Sequence, residues 1–202
     1  MRFVSKMPKF SVEKEREYLD DGWVKLREPK HIVVSMLLSF PFIFVLGLVS
    51  LALMGLFQPL SWELLGIGKT TRGFAFEINF LLILLVAVVI IAHELIHLCL
   101  VPRFMTSPTT VFGLTWFGGF AYTGEVIAKK RFILVALMPF LLISVLLPVA
   151  LGGMGMLGTA FRLGILLNAA ASSVDFFNSL LVWWQVPRGG VLVMNGPVTY
   201  YK

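Results

Sequence analysis

Cysteine and charged residues are scarce in this chain, and each shortage excludes a class of protein. The 202 residues contain one cysteine, Cys99, which rules out an internal disulfide framework and a cysteine-rich structural zinc site. Any metal ligands must therefore be histidine and carboxylate. Only 14% of the residues are charged, whereas 58% are hydrophobic and the mean hydropathy is +0.89. A water-soluble globular domain does not have this composition.

Long uninterrupted apolar runs occupy much of the chain. A helix needs about 20 apolar residues to cross a bilayer core of about 30 Å, and several runs reach that length. We predict four membrane spans, and the tryptophans that close the last one are typical of a membrane interface. The first span is too long for the core of a signal peptide, so we expect it to remain in the mature protein. The predicted spans are 32–57, 76–101, 132–151 and 159–184.

The loop between the second and third spans carries the main β signal. Thr, Val, Phe and Tyr are frequent in 109–114 and 119–123, which predicts a β-hairpin at the membrane surface. A short strand over 191–194 follows two glycines near the end of the chain and is a candidate partner for this hairpin. The expected fold class is an all-α membrane protein, a bundle of about four transmembrane helices with a small β-hairpin in the loop after the second helix.

The segments outside the spans have mixed charge and mark the divisions of the chain. A short helix is expected over 11–20, with a stop at Gly22, in a solvated or surface-lying arm. The predicted divisions are an N-terminal arm (1–31), a membrane domain with four spans (32–186) and a C-terminal tail with a short strand (187–202).

Basic residues are distributed unevenly around the spans. Fourteen of the seventeen Lys and Arg residues fall in the arm, the loop 102–131 and the tail. The positive-inside rule therefore predicts that both termini and this loop lie in the cytoplasm of a multi-pass protein, which we expect in a bacterial cell membrane. The net charge of +6 does not indicate nucleic-acid binding, because the basic residues lie beside the apolar runs and form no continuous patch. Arg162 is expected to snorkel towards the outer surface.

The second span carries the sequence HELIH, which places His93 and His97 four positions apart. Residues i and i+4 share one face of a helix, so both imidazoles can bind one metal ion, with Glu94 beside them. Two histidines and a carboxylate leave the fourth tetrahedral position of zinc open to water, as in catalytic sites. Ionisable residues inside a span are costly and usually mark a functional site. The alternatives are a hydrogen-bonded cluster that packs helices and a chance pentapeptide.

The third ligand must come from elsewhere, and the last span offers Asp175. Polar residues recur there at spacings of four, three and four, which form one stripe along an apolar helix. The stripe consists of Asn168, Ser172, Asp175 and Ser179. The second and fourth spans run in the same direction, so His97 and Asp175 are both expected in the cytoplasmic half of the membrane. Asn168 and Ser172 are candidates to bond the ligands or the substrate, and polar contact between helices is the alternative for all three.

HELIH in one span and NAAASSVDFFN in a later one resemble the site-2-protease type of intramembrane zinc metalloprotease, and more narrowly a bacterial family of zincin membrane peptidases. The resemblance implies that His93, His97 and Asp175 bind zinc. It also implies that Glu94 is the catalytic base and that Asn168 stands where the later motif begins.

This resemblance covers roughly residues 76–184, including the β-prone loop, which in those proteases helps to dock an extended substrate. The sequence departs from their pattern at Phe176, where they usually carry glycine, and at Ala171, where a proline is common. These departures concern the surroundings of the acidic ligand and leave HELIH intact.

Together these features predict a zinc metalloendopeptidase that hydrolyses peptide bonds in or near the membrane, with zinc-activated water and Glu94 as base. The expected partners are the lipid bilayer and a membrane-embedded or membrane-proximal protein or peptide substrate. The alternative is a non-proteolytic protein that binds or transports a metal ion, although transporters usually show repeats and ligands along a path. A third interpretation is an inactive relative that docks membrane partners.

Overall fold

The computed structural model describes residues 2–4, 6–59, 67–70, 73–76, 80–115 and 118–202. Within them the chain is mostly helical, and four helical stretches are long and apolar enough to cross a membrane. These stretches are Ile32–Gly55, Ile83–Leu100, Lys129–Gly153 and Thr159–Gln185. The helices are α1 (Val12–Asp20), α2 (Ile32–Gly55), α3 (Phe80–Leu100), α4 (Lys129–Pro139), α5 (Leu147–Gly153) and α6 (Thr159–Gln185).

Two of the predicted spans differ from the helices in detail. Helix α3 begins at Phe80, because Phe76 ends a strand; the predicted residues 77–79 lie outside the described part of the chain. The third span is a rod in which a π-helical segment, Phe140–Leu146, joins α4 to α5. Pro148 lies four residues beyond Ser144 and has no N–H to donate to its carbonyl, which weakens the α-helical pattern here.

Small sheets accompany the bundle, so an all-α class with a single hairpin was too narrow a prediction. In the described residues the strand orders are β1-β5-β6, β2-β9-β8-β7 and β3-β4. The strands are β1 (Arg2–Phe3), β2 (Val24–Lys25), β3 (Ile67–Thr70), β4 (Gly73–Phe76), β5 (Val111–Thr115), β6 (Gly118–Tyr122), β7 (Ile127–Ala128), β8 (Val191–Asn195) and β9 (Val198–Tyr201). The predicted hairpin is confirmed as the antiparallel pair β5–β6, and β1 lies parallel to β5 on its other side.

The predicted pairing of the tail strand with that hairpin is wrong. Strand β8 pairs with β9 and with β7 instead. The reason is local, because a turn at Gly196, whose φ is 59°, returns the chain directly on itself, and glycine adopts this conformation without strain. A neighbouring segment joined by a tight turn pairs more readily than a distant hairpin.

The N-terminal arm is bonded to the tail. Strand β2 completes the arm–tail sheet, which is β2-β9-β8-β7. The predicted helix is confirmed as α1, capped by Ser11 and followed by Gly22 at a φ of 80°. Asn195 holds the start of α1 with two bonds: Oδ1 accepts from Ser11 N at 3.1 Å, and Nδ2 donates to Ser11 O at 2.7 Å. These contacts, together with the bond from Tyr122 Oη to Met194 O at 3.0 Å, gather arm, hairpin and tail at one end of the bundle.

Helix α6 lies at the centre of the bundle and packs against α2, α3 and α4. Small and apolar side chains such as Leu46 and Ala169 meet between α2 and α6, as is usual where helices pack without water. The expected position of Arg162 is wrong. Its side chain is fully buried, with Nε donating to Leu157 O at 2.9 Å and Nη2 bonded to Gln58 Oε1. Neutral oxygens thus bind two of its nitrogens, while Nη1 meets no hydrogen-bond partner among the described residues.

Candidate metal centre

Helices α3 and α6 bring the predicted site residues together. His93 and His97 lie one turn apart on α3 and are 7% and 8% exposed. Asp175 lies on α6, and its Oδ2 is 3.2 Å from His93 Nε2 and 3.5 Å from His97 Nε2. The two Nε2 atoms are 3.1 Å apart. Three potential ligand atoms from two helices therefore surround one point.

These distances fit a tetrahedral metal ion. Zinc binds imidazole nitrogen and carboxylate oxygen at about 2.0–2.2 Å, and two ligands in tetrahedral geometry are then about 3.4 Å apart. The three separations of 3.1, 3.2 and 3.5 Å lie close to that value. Two histidines and one carboxylate are also the ligand set of catalytic zinc sites.

The outer nitrogens of both imidazoles show which protons they carry. His97 Nδ1 is 2.9 Å from Val135 O, a carbonyl that can only accept, so Nδ1 bears the proton. His93 Nδ1 lies 2.9 Å from Asn168 Oδ1, which also accepts. In neutral rings both Nε2 atoms then carry a lone pair, and they face each other and a carboxylate. A metal ion between the three atoms, or a proton on one of the rings, would offset the repulsion between them.

Asp175 is at the same height as HELIH, although the two helices end at different levels. His97 lies three residues before the end of α3 at Leu100, whereas Asp175 lies ten residues before the end of α6 at Gln185. Helix α6 therefore extends about 10 Å further, at about 1.5 Å per residue. The site consequently lies near the end of α3 that adjoins the hairpin, arm and tail.

Glu94 is half-buried and lies beneath the hairpin. A Cβ atom at Gly119 of strand β6 would come within 2.8 Å of Glu94 Oε1, so only glycine permits this approach. The carboxylate does not belong to the group of converging ligand atoms, which is His93, His97 and Asp175. It lies between that group and a β-strand.

Residues 86–191 match the family described as "Putative zincin peptidase". The match covers just over half of the chain and contains HELIH and Asp175. The chain belongs to this family. No curated protein and no solved structure matches the chain. Membership of a zincin peptidase family implies zinc and peptide hydrolysis, in agreement with the ligand set found here.

The zincin match also includes the polar stripe of α6. Asn168 and Ser172 are each 1% exposed, and both lie on the face of α6 that carries Asp175. Asn168 contacts His93. Ser172 Oγ, like Ser179 Oγ, meets no hydrogen-bond partner among the residues that the structure describes. Buried hydroxyls are usually bonded, so these two are exceptions within the described residues.

Some contacts around this zincin site were not predicted from the sequence. Val135 acts through its carbonyl oxygen, and no side-chain pattern can reveal a backbone acceptor. Gly119 was included only in the β-prone stretch 119–123, although its missing side chain makes room for Glu94. Ser144 is bonded to Asn168 and was recognisable only as an isolated polar residue in the apolar third span.

Proposed function

We propose that this protein is an intramembrane zinc metalloendopeptidase of the site-2-protease type, with His93, His97 and Asp175 as zinc ligands. The single observation that supports it best is the convergence of two imidazole lone pairs and a carboxylate within 3.5 Å of one another. A single metal ion would satisfy all three ligand atoms at once. The zincin family makes zinc the natural choice.

When bound, zinc would polarise a peptide carbonyl and lower the pKa of a coordinated water molecule. Glu94 accepts a proton from the attacking water and delivers it to the leaving amine. Its carboxylate is suited to this task because it lies next to the ligands without being one of them. Ser172 Oγ is buried and has no hydrogen-bond partner among the described residues, and it is proposed to bond a water molecule or the substrate backbone.

Strand β6 provides a place for the substrate. A helical substrate shields its carbonyls in backbone hydrogen bonds, so hydrolysis requires an extended segment. In the described residues β6 pairs on one side only, with β5, and it passes directly over Glu94. A membrane-embedded or membrane-proximal protein or peptide can add as a further strand at the free edge of β6, where its carbonyls adjoin the site.

The orientation follows from charge. Arm, hairpin loop and tail lie at one end of the bundle and carry most basic residues, so this end is proposed to face the cytoplasm of a bacterial cell. The site lies near the same end, which gives water a short path to it. The proposed divisions remain an arm (1–31), a membrane domain (32–186) and a tail (187–202).

Metal content tests the ligands. We expect about one zinc per chain in protein purified in detergent, by analogy with mononuclear sites, and its loss from His93→Ala and His97→Ala. His31→Ala is the matched control, because His31 is exposed and lies before α2. Full zinc retention by both site variants would refute the proposal.

Hydrolysis tests Glu94. We expect Glu94→Gln to keep its zinc and to cleave a mixture of extended apolar peptides about 10²–10⁴-fold more slowly, the range for loss of a general base. A variant that cleaves at the wild-type rate would contradict the assigned role. Wild-type protein that binds zinc and cleaves nothing would favour the alternative of a non-proteolytic metal-binding or transport protein.

A further inference from the structure

A buried serine of the third span stands behind the contact between Asn168 and His93. Ser144 lies in the π-helical segment and is 0% exposed. Its hydroxyl donates to Ile165 O at 2.9 Å and accepts from Asn168 Nδ2, also at 2.9 Å. We propose that Ser144 is a positioning residue of the metal centre, which fixes the Asn168 amide so that its oxygen faces His93. This inference rests on the proposed function.

The direction of the amide decides which nitrogen of His93 is free. Asn168 Oδ1 accepts the proton of His93 Nδ1, and Nε2 then keeps a lone pair for the metal. A reversed amide would present its NH₂ group and would require a lone pair on Nδ1. The proton would move to Nε2, where it would point at His97 and Asp175 and exclude a metal ion.

Two acceptors hold the NH₂ group away from His93. Asn168 Nδ2 lies 3.1 Å from Pro139 O and 2.9 Å from Ser144 Oγ. A carbonyl can only accept. The hydroxyl of Ser144 has one proton, which it donates to Ile165 O, so towards Asn168 it too can only accept. The NH₂ group of Asn168 therefore points away from His93 and its oxygen points towards it. His93 then carries its proton on Nδ1 and its lone pair on Nε2.

The two acceptors of the Asn168 amide lie at the irregular part of the third span. Pro139 is the last residue of α4, and Ser144 lies in the π-helical segment that follows it. Single π-helical turns within helices are frequent at functional sites. The irregular turn of the third span thus adjoins the amide that contacts His93.

Zinc affinity, measured by competition with a chelator in the full-length protein, tests this proposal. We expect Ser144→Ala to bind zinc about tenfold more weakly, at the lower end of the 10–100-fold range for outer partners of metal ligands. We also expect its cobalt form to show an altered visible spectrum. Ser50→Ala is the matched control: Ser50 is equally buried and bonds a helix carbonyl, Leu46 O, at 3.0 Å in α2. It should bind zinc as wild type does.

A double variant distinguishes a positioning role of Ser144 from a role in packing alone. If Ser144 acts through Asn168, Ser144→Ala should weaken zinc binding no further in protein that already carries Asn168→Ala. The same tenfold loss in that background would overturn the proposal, because it would show an effect that bypasses the amide. Ser144→Cys keeps the shape but bonds poorly, so it must weaken binding even if the alanine variant does not fold.

Different results would overturn the role of Ser144 and the proposed function. Wild-type affinity in Ser144→Ala and Ser144→Cys would overturn the role of Ser144 and leave the zinc peptidase intact. A wild-type protein that binds no zinc at any concentration would overturn both.

Discussion

Asp175 in the bundle and Glu28 beside the arm–tail sheet are both partly shielded from solvent, but the atoms around them differ in kind. Glu28 faces donors: its Oε1 accepts from Thr199 N at 2.6 Å and its Oε2 from Thr199 Oγ1 at 3.2 Å. Asp175 faces ring nitrogens of His93 and His97. One carboxylate is bonded to fixed donors of the fold, whereas the other adjoins two potential metal ligands.

Under the proposed function, this difference separates a structural acid from a metal ligand. Burial raises the pKa of Glu28, and the two bonds from Thr199 oppose that rise. Asp175 instead lies within hydrogen-bond distance of imidazole nitrogens of His93 and His97. Shielded carboxylates are common, and the polarity of their neighbours is a better sign of a metal site than their burial.

Changing each acid to its amide tests this comparison most directly and is expected to have the largest effect. We expect Asp175→Asn to lose zinc affinity by at least about a hundredfold, beyond the effect typical of outer partners. In metal-free protein it should be as heat-stable as wild type or more so, since its NH₂ group can donate to an imidazole lone pair. Chelator competition and thermal unfolding measure the two effects. Glu28→Gln is the control and should keep its zinc; wild-type affinity in Asp175→Asn would contradict the assignment.

A third carboxylate, Glu94, extends the comparison, because the adjacent β-strand leaves little space for its side chain. Gly119→Ala adds a Cβ that would meet the Glu94 side chain. We expect zinc to be retained and peptide hydrolysis to fall at least about tenfold, since a displaced base loses part of its contribution. Gly47→Ala is the control, because a Cβ there meets nothing within 4 Å. Equal activity of the two variants would show that β6 does not constrain Glu94.

The smallest effect is expected at Glu28. Glu28→Ala leaves the buried N–H of Thr199 without an acceptor, which costs about 1–3 kcal/mol of unfolding free energy. Glu28→Gln keeps an acceptor and should cost little.

The pH dependence of Glu28 has a definite sign. Its pKa is raised above the ordinary 4.5, so the folded state binds this proton more tightly than the unfolded state. Wild type therefore loses stability as pH rises from about 4.5 through the folded pKa. Relative to wild type, Glu28→Gln should gain stability over that window in thermal unfolding. A constant difference at all pH values would contradict the raised pKa.

Much of the bundle and the ligand group was predictable because strong local patterns determine them. Apolar runs of more than 20 residues have few alternatives to membrane helices. His93 and His97 share a face by helix periodicity alone, and Asp175 stood out as an acid on a polar stripe. The structure brings these three residues together; their role as zinc ligands stays a prediction.

The rest depends on contacts that leave little trace in sequence. Strands of two residues, such as Val24–Lys25 and Ile127–Ala128, are too short for a periodic pattern, so the arm–tail sheet was not foreseen. The burial of Arg162 was not foreseen, because Gln58 is 104 residues away and Leu157 contributes a backbone oxygen that no side-chain pattern reveals. Ser144 was not singled out, because the residues it bonds, Ile165 and Asn168, lie in another span.

The arm–tail sheet also bears on whether the region that matches the family could fold by itself. The zincin match ends at Val191, the first residue of β8, while the partners β2 and β9 lie outside it, as does α2, which covers one flank of α6. A chain trimmed to residues 86–191 would expose that flank and lose the sheet that joins β7, at the start of α4, to the tail. The region matched by the family and the set of elements that pack together therefore have different boundaries in this protein, and residues 86–191 alone would lack partners for both α6 and β8.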